Sequence, residues 1–226
     1  MIFDIITQVR FKSTRLPGKI FLKFLDTNFL SFFIANLKKI KNVRKVILAC
    51  PDDEYKDIFV LFAKKLKVDI FFLKGDPNNV LKRYFYCAKK FSSPNIIRIT
   101  SDCPFINPFL VSRMIKIYQN NKVNFLTNNK PRLVPHGFDC EIIKFQLLKK
   151  TYNSAKKKDE KEHVTPWIYK NYFDKKRNYT GLLKKNYSHL RLTLDTPSDY
   201  LFFSKNSKIL KSIATKKKFQ PYFNKI

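Results

Sequence analysis

Short apolar runs alternate along the first hundred residues with longer segments in which apolar side chains recur every three or four positions. The first pattern predicts buried β-strands, and the second predicts amphipathic α-helices. Their alternation is typical of an α/β fold, in which helices cover a parallel or mostly parallel sheet. The predicted strands are IFDIIT at the N-terminus, KVILAC (45–50), VDIFFL (68–73) and NIIRIT (95–100), and the predicted helices are 28–42, 53–66 and 78–91.

The pattern changes near residue 124, where strand-like and Pro-containing stretches replace the regular alternation. No repeat or low-complexity linker separates this part from the rest, so we expect it to extend the same domain. Its predicted strands are NFLTNN, DCEIIK and the returning HLRLTLD (189–195), and its predicted helices are 145–156, 160–171 and a last helix that begins at TPSD.

Composition limits the classes of protein that fit. With 226 residues, 44% hydrophobic and 15% aromatic, the chain can bury one substantial core. The four cysteines lie far apart without a CxxC pair, which disfavours a zinc site and is typical of an intracellular protein with reduced thiols. The first apolar run is short and contains Asp4, so we expect neither a signal peptide nor membrane insertion, and a cytoplasmic location.

The charge is strongly positive: Lys and Arg number 46 against 17 Asp and Glu, a net charge of +29. Such an excess can bind nucleic acid through phosphate neutralisation. The basic residues are scattered rather than striped, and no motif that reads RNA or DNA accompanies them. Abundant Lys, Asn, Ile, Phe and Tyr are also typical of AT-rich coding. We therefore expect no specific nucleic-acid site.

The stretch RFKSTRLPGK (10–19) follows the first predicted strand and concentrates basic side chains, two hydroxyls and a Pro-Gly turn. It departs from the Walker pattern, and no GxGxxG occurs in the chain. Basic groups and hydroxyls in such a loop can wrap a triphosphate, although a basic turn alone is more often a solvated loop. Ligands of open α/β sheets bind at the carboxyl ends of strands, so the loops at 8–19, 50–53, 74–79 and 101–104 should converge.

Six blocks of the chain, in order, resemble one enzyme family. They resemble the cytidylyltransferases that activate acidic sugars, the family of CMP-Kdo synthetase and acylneuraminate cytidylyltransferase, and most of all the branch of spore coat polysaccharide biosynthesis protein F. The blocks are IITQVRFKSTRLPGK, GDPNNVLKRY (75–84), IIRITSDCPFINP (96–108), PHGFDCEII (135–143), EHVTPWI (162–168) and HLRLTLDTPSDY (189–200).

The resemblance implies a single domain of the nucleotide-diphospho-sugar transferase fold, Rossmann-like and of GT-A type. It implies a transfer of CMP from CTP to an acidic sugar with release of pyrophosphate and assistance by Mg²⁺, for surface polysaccharide or lipopolysaccharide biosynthesis. Relatives are commonly homodimers. The implied regions are a nucleotide-binding core at 1–123, a sugar-binding and dimer-forming extension at 124–189, and a return strand with a C-terminal helix at 190–226.

The resemblance also implies roles for individual residues. Arg10, Lys19 and Asp102 are the implied catalytic residues, and Asp102 and Asp195 the implied metal ligands. Phosphoryl chemistry agrees with this set, because it needs cations over the phosphates and carboxylates for the metal. The implied nucleotide-binding residues are Arg10, Ser13, Arg15, Lys19, Arg83 and Asp102, and the implied sugar-binding residues are Asp139, Glu141, Glu162, His163 and Arg191.

Structural roles compete with these assignments. Asp102 can stabilise a turn, Asp195 can favour a helix start, and Arg83 can lie on a solvated helix face. Glu162 and His163 can be capping residues. A glycosyltransferase of the same fold type is a further alternative, but it would carry a DxD metal motif after its central strand, where this chain has SDCP (101–104).

Overall fold

A six-stranded mixed sheet forms the centre of the computed structural model, which describes residues 1–174, 182–183 and 185–226. Its order is β5-β4-β1-β6-β8-β7; β5, β4, β1 and β6 are parallel, and β8 is antiparallel to both β6 and β7. This confirms the mostly parallel mixed sheet. The strands are β1 Asp4–Gln8, β4 Lys45–Pro51, β5 Asp69–Leu73, β6 Asn95–Arg98, β7 Phe125–Thr127 and β8 Glu141–Lys144, and a separate hairpin pairs β2 Lys23–Phe24 with β3 Thr27–Asn28.

Helices lie on both faces of this sheet, and none in the described ranges has the length and apolarity of a membrane span. Polar side chains at several starts accept the free backbone N–H groups of the first turn, as at Asn28 and Asn79. The helices are α1 Phe29–Leu37, α2 Lys56–Leu66, α3 Val80–Lys90, α4 Pro108–Asn121, α5 Phe145–Ser154, α6 Lys158–His163, α7 Pro166–Asn171, α8 Pro197–Lys205 and α9 Ser207–Thr215.

Successive residues of the central strands pack on opposite faces of the sheet, as the two-residue period of a strand requires. In β1, Ile5 joins the core formed with α1, α4, α8 and α9, and Ile6 joins the core formed with α3, α5 and α7. In β6, Ile97 and Ile96 divide in the same way. The described helices therefore cover both faces of the sheet, which leaves the ends of its strands as the place where a ligand can reach it.

Two predicted elements differ from the structure. The helix expected at 160–171 is split into α6 and α7, because Val164 has a positive φ of 70° and Pro166 begins the second helix. The strand expected at 189–195 is reduced to one parallel bridge between His136 and Arg191. The α8 start is as predicted: Thr196 and Asp199 form a capping box around Pro197.

The implied extension at 124–189 contributes β7 and β8 to the same sheet as the first half of the chain. Part of it, residues 175–181 and 184, lies outside the described residues. The basic C-terminal tail folds back as a 3₁₀ turn, Gln220–Lys225. Its Phe223 ring packs 5.4 Å from Phe138 and 4.8 Å from Tyr187, centroid to centroid, so apolar packing holds the tail against the loop before β8.

A close backbone approach joins that loop to the segment before α8. Gly137 has a φ of 100°, and a Cβ atom placed on it would lie 2.4 Å from the carbonyl oxygen of Leu192. On either side of the contact, His136 N–H donates to Leu190 O at 2.9 Å and Leu192 N–H donates to His136 O at 2.7 Å. Only glycine fits both the conformation and the space.

Candidate active site

A cavity of about 460 Å³ opens where β1 and β6 end, and it gathers most of the residues singled out in the sequence. Three of the four loops expected to converge, 8–19, 74–79 and 101–104, contribute to its lining, whereas 50–53 does not. Arg191 also lies outside the lining. The predicted site residues that line the cavity are Arg10, Ser13, Arg15, Lys19, Arg83, Asp102, Asp139, Glu141, Glu162, His163 and Asp195.

The cavity has two walls, which are built from different elements of the fold. The loop wall consists of residues 10–19 with Asp102 and Asp195, and the strand wall consists of the side chains around the end of β6, the start of β8 and α7. The strand-wall residues are Arg98, Arg132, Asp139, Glu141, Thr165 and Tyr169.

Local packing shapes the basic loop. Gly18, with a φ of 64°, donates its N–H to Phe11 O at 3.0 Å and closes the turn. The Phe11 ring stacks on Tyr55 at a centroid distance of 4.0 Å, so the loop before α2 supports the basic loop although it does not reach the cavity. Ser13 Oγ accepts the Leu16 N–H at 3.4 Å, which leaves its hydroxyl hydrogen for a ligand.

Three cations, two from the loop wall and one from outside the cavity lining, meet at one carboxylate of the loop wall. Lys19 Nζ lies 2.9 Å and Arg15 Nη2 3.3 Å from Asp195 Oδ1, and Arg191 Nη2 lies 2.7 Å from Asp195 Oδ2. Burial acts to raise the pKa of Asp195, but Lys19, Arg191 and Arg15 together hold it below the usual value. Arg191 therefore acts on the site through Asp195, and it also lies 3.5 Å from Asp199 Oδ1.

Asp102 and Asp195 are brought together by the backbone, because Leu194 N–H donates to Asp102 O at 2.8 Å. Both carboxylates line the cavity, and hard oxygens of this kind suit Mg²⁺, which is commonly bound by one or two carboxylates together with substrate phosphates and water. The donor set fits such an ion. Within the described ranges, no group of three or more His, Cys, Asp or Glu side chains is placed to hold a metal ion.

Arg83 is buried rather than solvated. Its Nη1 and Nη2 donate to Pro77 O at 3.2 and 3.0 Å, and its Nε is buried without a protein partner. Burial lowers the pKa of Arg83 below its usual value. Arg83 therefore does not have the solvated surface role, and its guanidinium keeps N–H donors, Nε among them, that no protein group uses.

In the strand wall, Glu141 is fully engaged by protein donors. Arg98 Nη1 donates to its Oε2 at 2.9 Å, and Thr165 Oγ1 and Tyr169 Oη donate to its Oε1 at 3.0 and 2.7 Å. The antiparallel register places Arg98 directly opposite Glu141. Burial acts to lower the pKa of Arg98, but Glu141 more than offsets this and raises it. Burial and the same carboxylate raise the pKa of Tyr169.

Asp139 is paired with Arg132, whose Nη2 lies 2.6 Å from Asp139 Oδ1. The other carboxylate oxygen accepts the Gly137 N–H at 3.3 Å. Asp139 is thus fixed beside the glycine that contacts Leu192. Arg132 was not singled out in the sequence, although it stands in the Pro-containing stretch that leads to β8.

Glu162 and His163 stand on the rim of the cavity at the end of α6, and both are exposed. His163 Nε2 lies 3.5 Å from Asp159 Oδ1. The capping role is taken by Glu160, whose Oε2 accepts the N–H groups of Lys156 and Lys157. The two rim residues are therefore free of capping and face the cavity at its solvent side.

Sequence reasoning missed several lining residues. Arg98 had a usable signal, because a charged side chain inside the apolar run NIIRIT is out of place unless it is paired. Gln8, at the end of the first strand, is a similar case. The contributions of Arg132, Thr165 and Tyr169 depend on long-range pairing with residues that the sequence pattern does not bring together.

Solved structures and curated relatives resemble most of the chain. A cytidylyltransferase from Leptospira borgpetersenii superposes with a TM-score of 0.81 at 33% identity, over 93% of this chain and 85% of that one. A CMP:2-keto-3-deoxy-manno-octonic acid synthetase complexed with CTP has a TM-score of 0.69 at 12% identity, over 91% and 98%, and shows the shared fold. Spore coat polysaccharide biosynthesis protein SpsF of Bacillus subtilis is 28% identical over 86% of this chain and 82% of its own.

A family model described as cytidylyltransferase matches residues 5–217, which include the basic loop, both aspartates and the strand wall. The match covers nearly the entire chain and agrees with the α/β fold and with the family expected from the sequence blocks. The chain therefore belongs to the cytidylyltransferase family.

Proposed function

We propose that this cytidylyltransferase transfers CMP from CTP to a hydroxyl group of an acidic sugar of the Kdo, sialic acid or related ulosonate type, and releases pyrophosphate. The observation that carries the proposal is the arrangement of charge at the loop wall, where Lys19 and Arg15, joined by Arg191 from outside the cavity lining, converge on Asp195. A triphosphate offers the same cations more negative charge than one carboxylate does. Lys19 and Arg15 are then the groups that move from Asp195 to phosphate oxygens.

The bond changes are those of an in-line displacement. The sugar hydroxyl oxygen bonds to the α-phosphorus, the bond from that phosphorus to the bridging oxygen breaks, and pyrophosphate leaves with the electron pair. The hydroxyl proton passes to water. Lys19 and Arg10 stabilise charge that develops on the phosphates, and Arg83 holds the nucleotide from the α3 side of the cavity.

Asp102 and Asp195 are the carboxylates that would hold Mg²⁺. A bound divalent ion lowers the pKa of the attacking hydroxyl and neutralises phosphate charge, so the proposal needs no general base among the side chains. The contribution of this chain is to bring the two carboxylates together through the Leu194 to Asp102 backbone hydrogen bond.

The remaining parts of the proposal rest on the family alone. We infer a cytoplasmic homodimer that supplies CMP-activated sugar to surface polysaccharide or lipopolysaccharide biosynthesis. Glu162, His163, Asp139, Glu141 and Arg191 remain the predicted sugar-side residues, with Glu141 and Arg191 acting through the side chains they hold.

A pyrophosphate-release matrix tests the proposal. The enzyme is assayed with Mg²⁺, each of CTP, UTP, ATP and GTP, and each of Kdo, N-acetylneuraminic acid and a neutral hexose. We expect pyrophosphate only with CTP and a sugar acid. A parallel thermal-shift series at equal nucleotide concentrations should rank CTP first, because the nucleotide that binds most tightly stabilises the folded protein most. A ligand at 100 times its Kd adds about 2.7 kcal/mol of stability. Turnover with a purine triphosphate, or only with the neutral sugar, would contradict the proposal.

A further inference from the structure

Arg132 has donor capacity that the protein does not use. Its side chain is 25% exposed, and its Nη1 atom is buried without a hydrogen-bond partner although the residue lines the cavity. The 2.6 Å contact of Nη2 with Asp139 Oδ1 has the distance of an ion pair, but Oδ1 has no hydrogen-bonded donor. Leaving a charged donor in this state costs free energy that an acceptor in the cavity would recover.

The charged groups of the Arg98–Glu141 pair are already engaged by protein partners. Arg98 also has a buried Nε without a partner, but its Nη1 is aligned with Glu141 at 2.9 Å and its guanidinium lies 5.7 Å from the Tyr84 ring centroid. Glu141 accepts three hydrogen bonds from protein groups. In the loop wall, Lys19 and Arg15 are committed to Asp195 or, in the proposed reaction, to the triphosphate.

We propose that Arg132, held in place by Asp139, binds the carboxylate of the acidic sugar and thereby selects sugar acids over neutral sugars. A guanidinium presents parallel N–H donors that match the two oxygens of a carboxylate. The inference rests on the proposed function, and it assigns to one residue the selection that the function requires.

The chemistry of the sugar gives this contact a second effect. In an ulosonic acid, the carboxylate and the hydroxyl that attacks phosphorus are attached to the same carbon atom. A carboxylate fixed by Arg132 therefore fixes the direction of the attacking oxygen, which is the kind of positioning that lowers the entropic part of the barrier. Loss of the contact should affect kcat as well as KM for the sugar.

The test compares the wild type with Arg132→Met, Arg132→Lys, Asp139→Asn and the control Arg113→Met, which alters an exposed arginine on α4. Each variant is assayed at saturating CTP with N-acetylneuraminic acid and Kdo and with the methyl ester of each carboxylate. Circular dichroism and thermal unfolding confirm that each variant folds; if Arg132→Met does not, Arg132→Lys and Asp139→Asn carry the test.

We expect Arg132→Met to lower kcat/KM for the acid by about 10- to 100-fold, the range for hydrogen bonds to a charged group, and to leave KM for CTP unchanged. The ester should be little affected, so the preference for the acid disappears. Arg132→Lys should retain part of the preference for the acid, because lysine keeps the positive charge but lacks the parallel N–H donors of the guanidinium. Asp139→Asn should weaken it, and Arg113→Met should match the wild type.

The contradicting outcomes separate the two proposals. If the wild type prefers the acid and Arg132→Met retains the same preference, Arg132 has only a structural role and the proposed function stands. An equal loss for acid and ester, or a raised KM for CTP, also rejects the assignment of Arg132 alone. If the wild type itself uses only neutral sugars, the proposed function fails and this inference fails with it.

Discussion

Charge is arranged differently in the two walls of the cavity. In the loop wall, Lys19 and Arg15 share the single carboxylate of Asp195 with Arg191, which approaches from outside the cavity lining, and the Arg15 side chain is 62% exposed whereas that of Lys19 is 12% exposed. In the strand wall, each acid has its own arginine, and Glu141 is only 3% exposed. One wall has an excess of cations around an anion, and the other is built from one-to-one pairs.

The contacts of the two walls differ in how readily they can exchange for contacts with a ligand. The exposed Arg15 and Arg191 lose little when they turn from Asp195 to phosphate oxygens, since ion pairs made by exposed side chains are individually weak. Lys19 and Asp195 are only 12% and 14% exposed, so Lys19 can leave Asp195 only for another anion that replaces its charge. A buried pair such as that of Arg98 with Glu141 cannot be opened cheaply, because each partner would be left charged in a poorly solvated place. The loop wall suits a ligand whose charge changes, and the strand wall suits one that must be held in a fixed position.

The largest expected effect concerns the carboxylates of the loop wall. Asp102→Asn and Asp195→Asn should each lower pyrophosphate release by more than about 10³-fold, above the loss from a single electrostatic contact, and raise the Mg²⁺ concentration needed for half activity. The double variant should be little worse than either single one, because residues acting on one ion are not additive. Magnesium titrations of each variant provide the measurement.

Near wild-type activity of Asp195→Asn with a normal Mg²⁺ midpoint would assign Asp195 to structure alone. Its role would then be to hold Lys19 and Arg15. The loop wall would then contain a structural ion pair, as the strand wall does, and the two walls would no longer differ in this respect.

Lys19→Ala should have the next largest effect. In the proposed reaction this lysine stabilises charge that moves to the leaving pyrophosphate, so turnover should decrease by about 10² to 10³, while the thermal unfolding midpoint changes little. Steady-state kinetics with CTP supply the test, and Lys23→Ala, an exposed lysine of the β2 strand, is the matched control. A similar loss in both variants would mean that general positive charge, not the Lys19 position, matters.

Glu141→Gln should affect the strand wall through stability. The substitution leaves Arg98 as a buried cation without its counter-charge, and removal of one partner of a buried pair costs about 3 kcal/mol. Urea unfolding of the variant gives the free energy directly, with Asp26→Asn, an exposed acid on the β2–β3 turn, as control. An unchanged free energy of unfolding would show that this wall is no more rigid than the loop wall.

The smallest effect is a pH dependence. Because the pKa of Asp195 is lowered in the folded protein, its ion pairs contribute stability above the unfolded value near pH 4, and this contribution is lost as the pH falls further through the folded value. Urea unfolding between about pH 5 and pH 3 should therefore show a shallower decrease for Asp195→Asn than for the wild type. Equal slopes would contradict the lowered pKa.

Local patterns predicted the sheet and the loop wall well. Strands in the first half follow from continuous apolar runs, and the basic loop is contiguous in sequence, so Arg10, Ser13, Arg15 and Lys19 could be found without knowledge of the fold. The helix at 108–121 was not anticipated, although Pro108 at its first turn is a typical start.

The contacts of the strand wall could not be predicted from local sequence patterns. Arg98 and Glu141 are 43 residues apart, and Thr165 and Tyr169 come from a helix whose start depends on the backbone at Val164. Sequence patterns report periodicity within an element, whereas these contacts depend on the register between β6 and β8 and on the placement of α7. Family resemblance indicated Glu141 but not its partners.

The contact of Gly137 with Leu192 restricts how this scaffold can be redesigned or can diverge. The loop that carries Arg132 and Asp139 lies directly on the backbone that leads to Asp195, with no room for a side chain between them. An exchange of the loop that carries Arg132 and Asp139 would therefore disturb the position of the Asp195 carboxylate. If the proposed function holds, a new sugar specificity can be transplanted into this scaffold only when both segments are taken from the same donor protein.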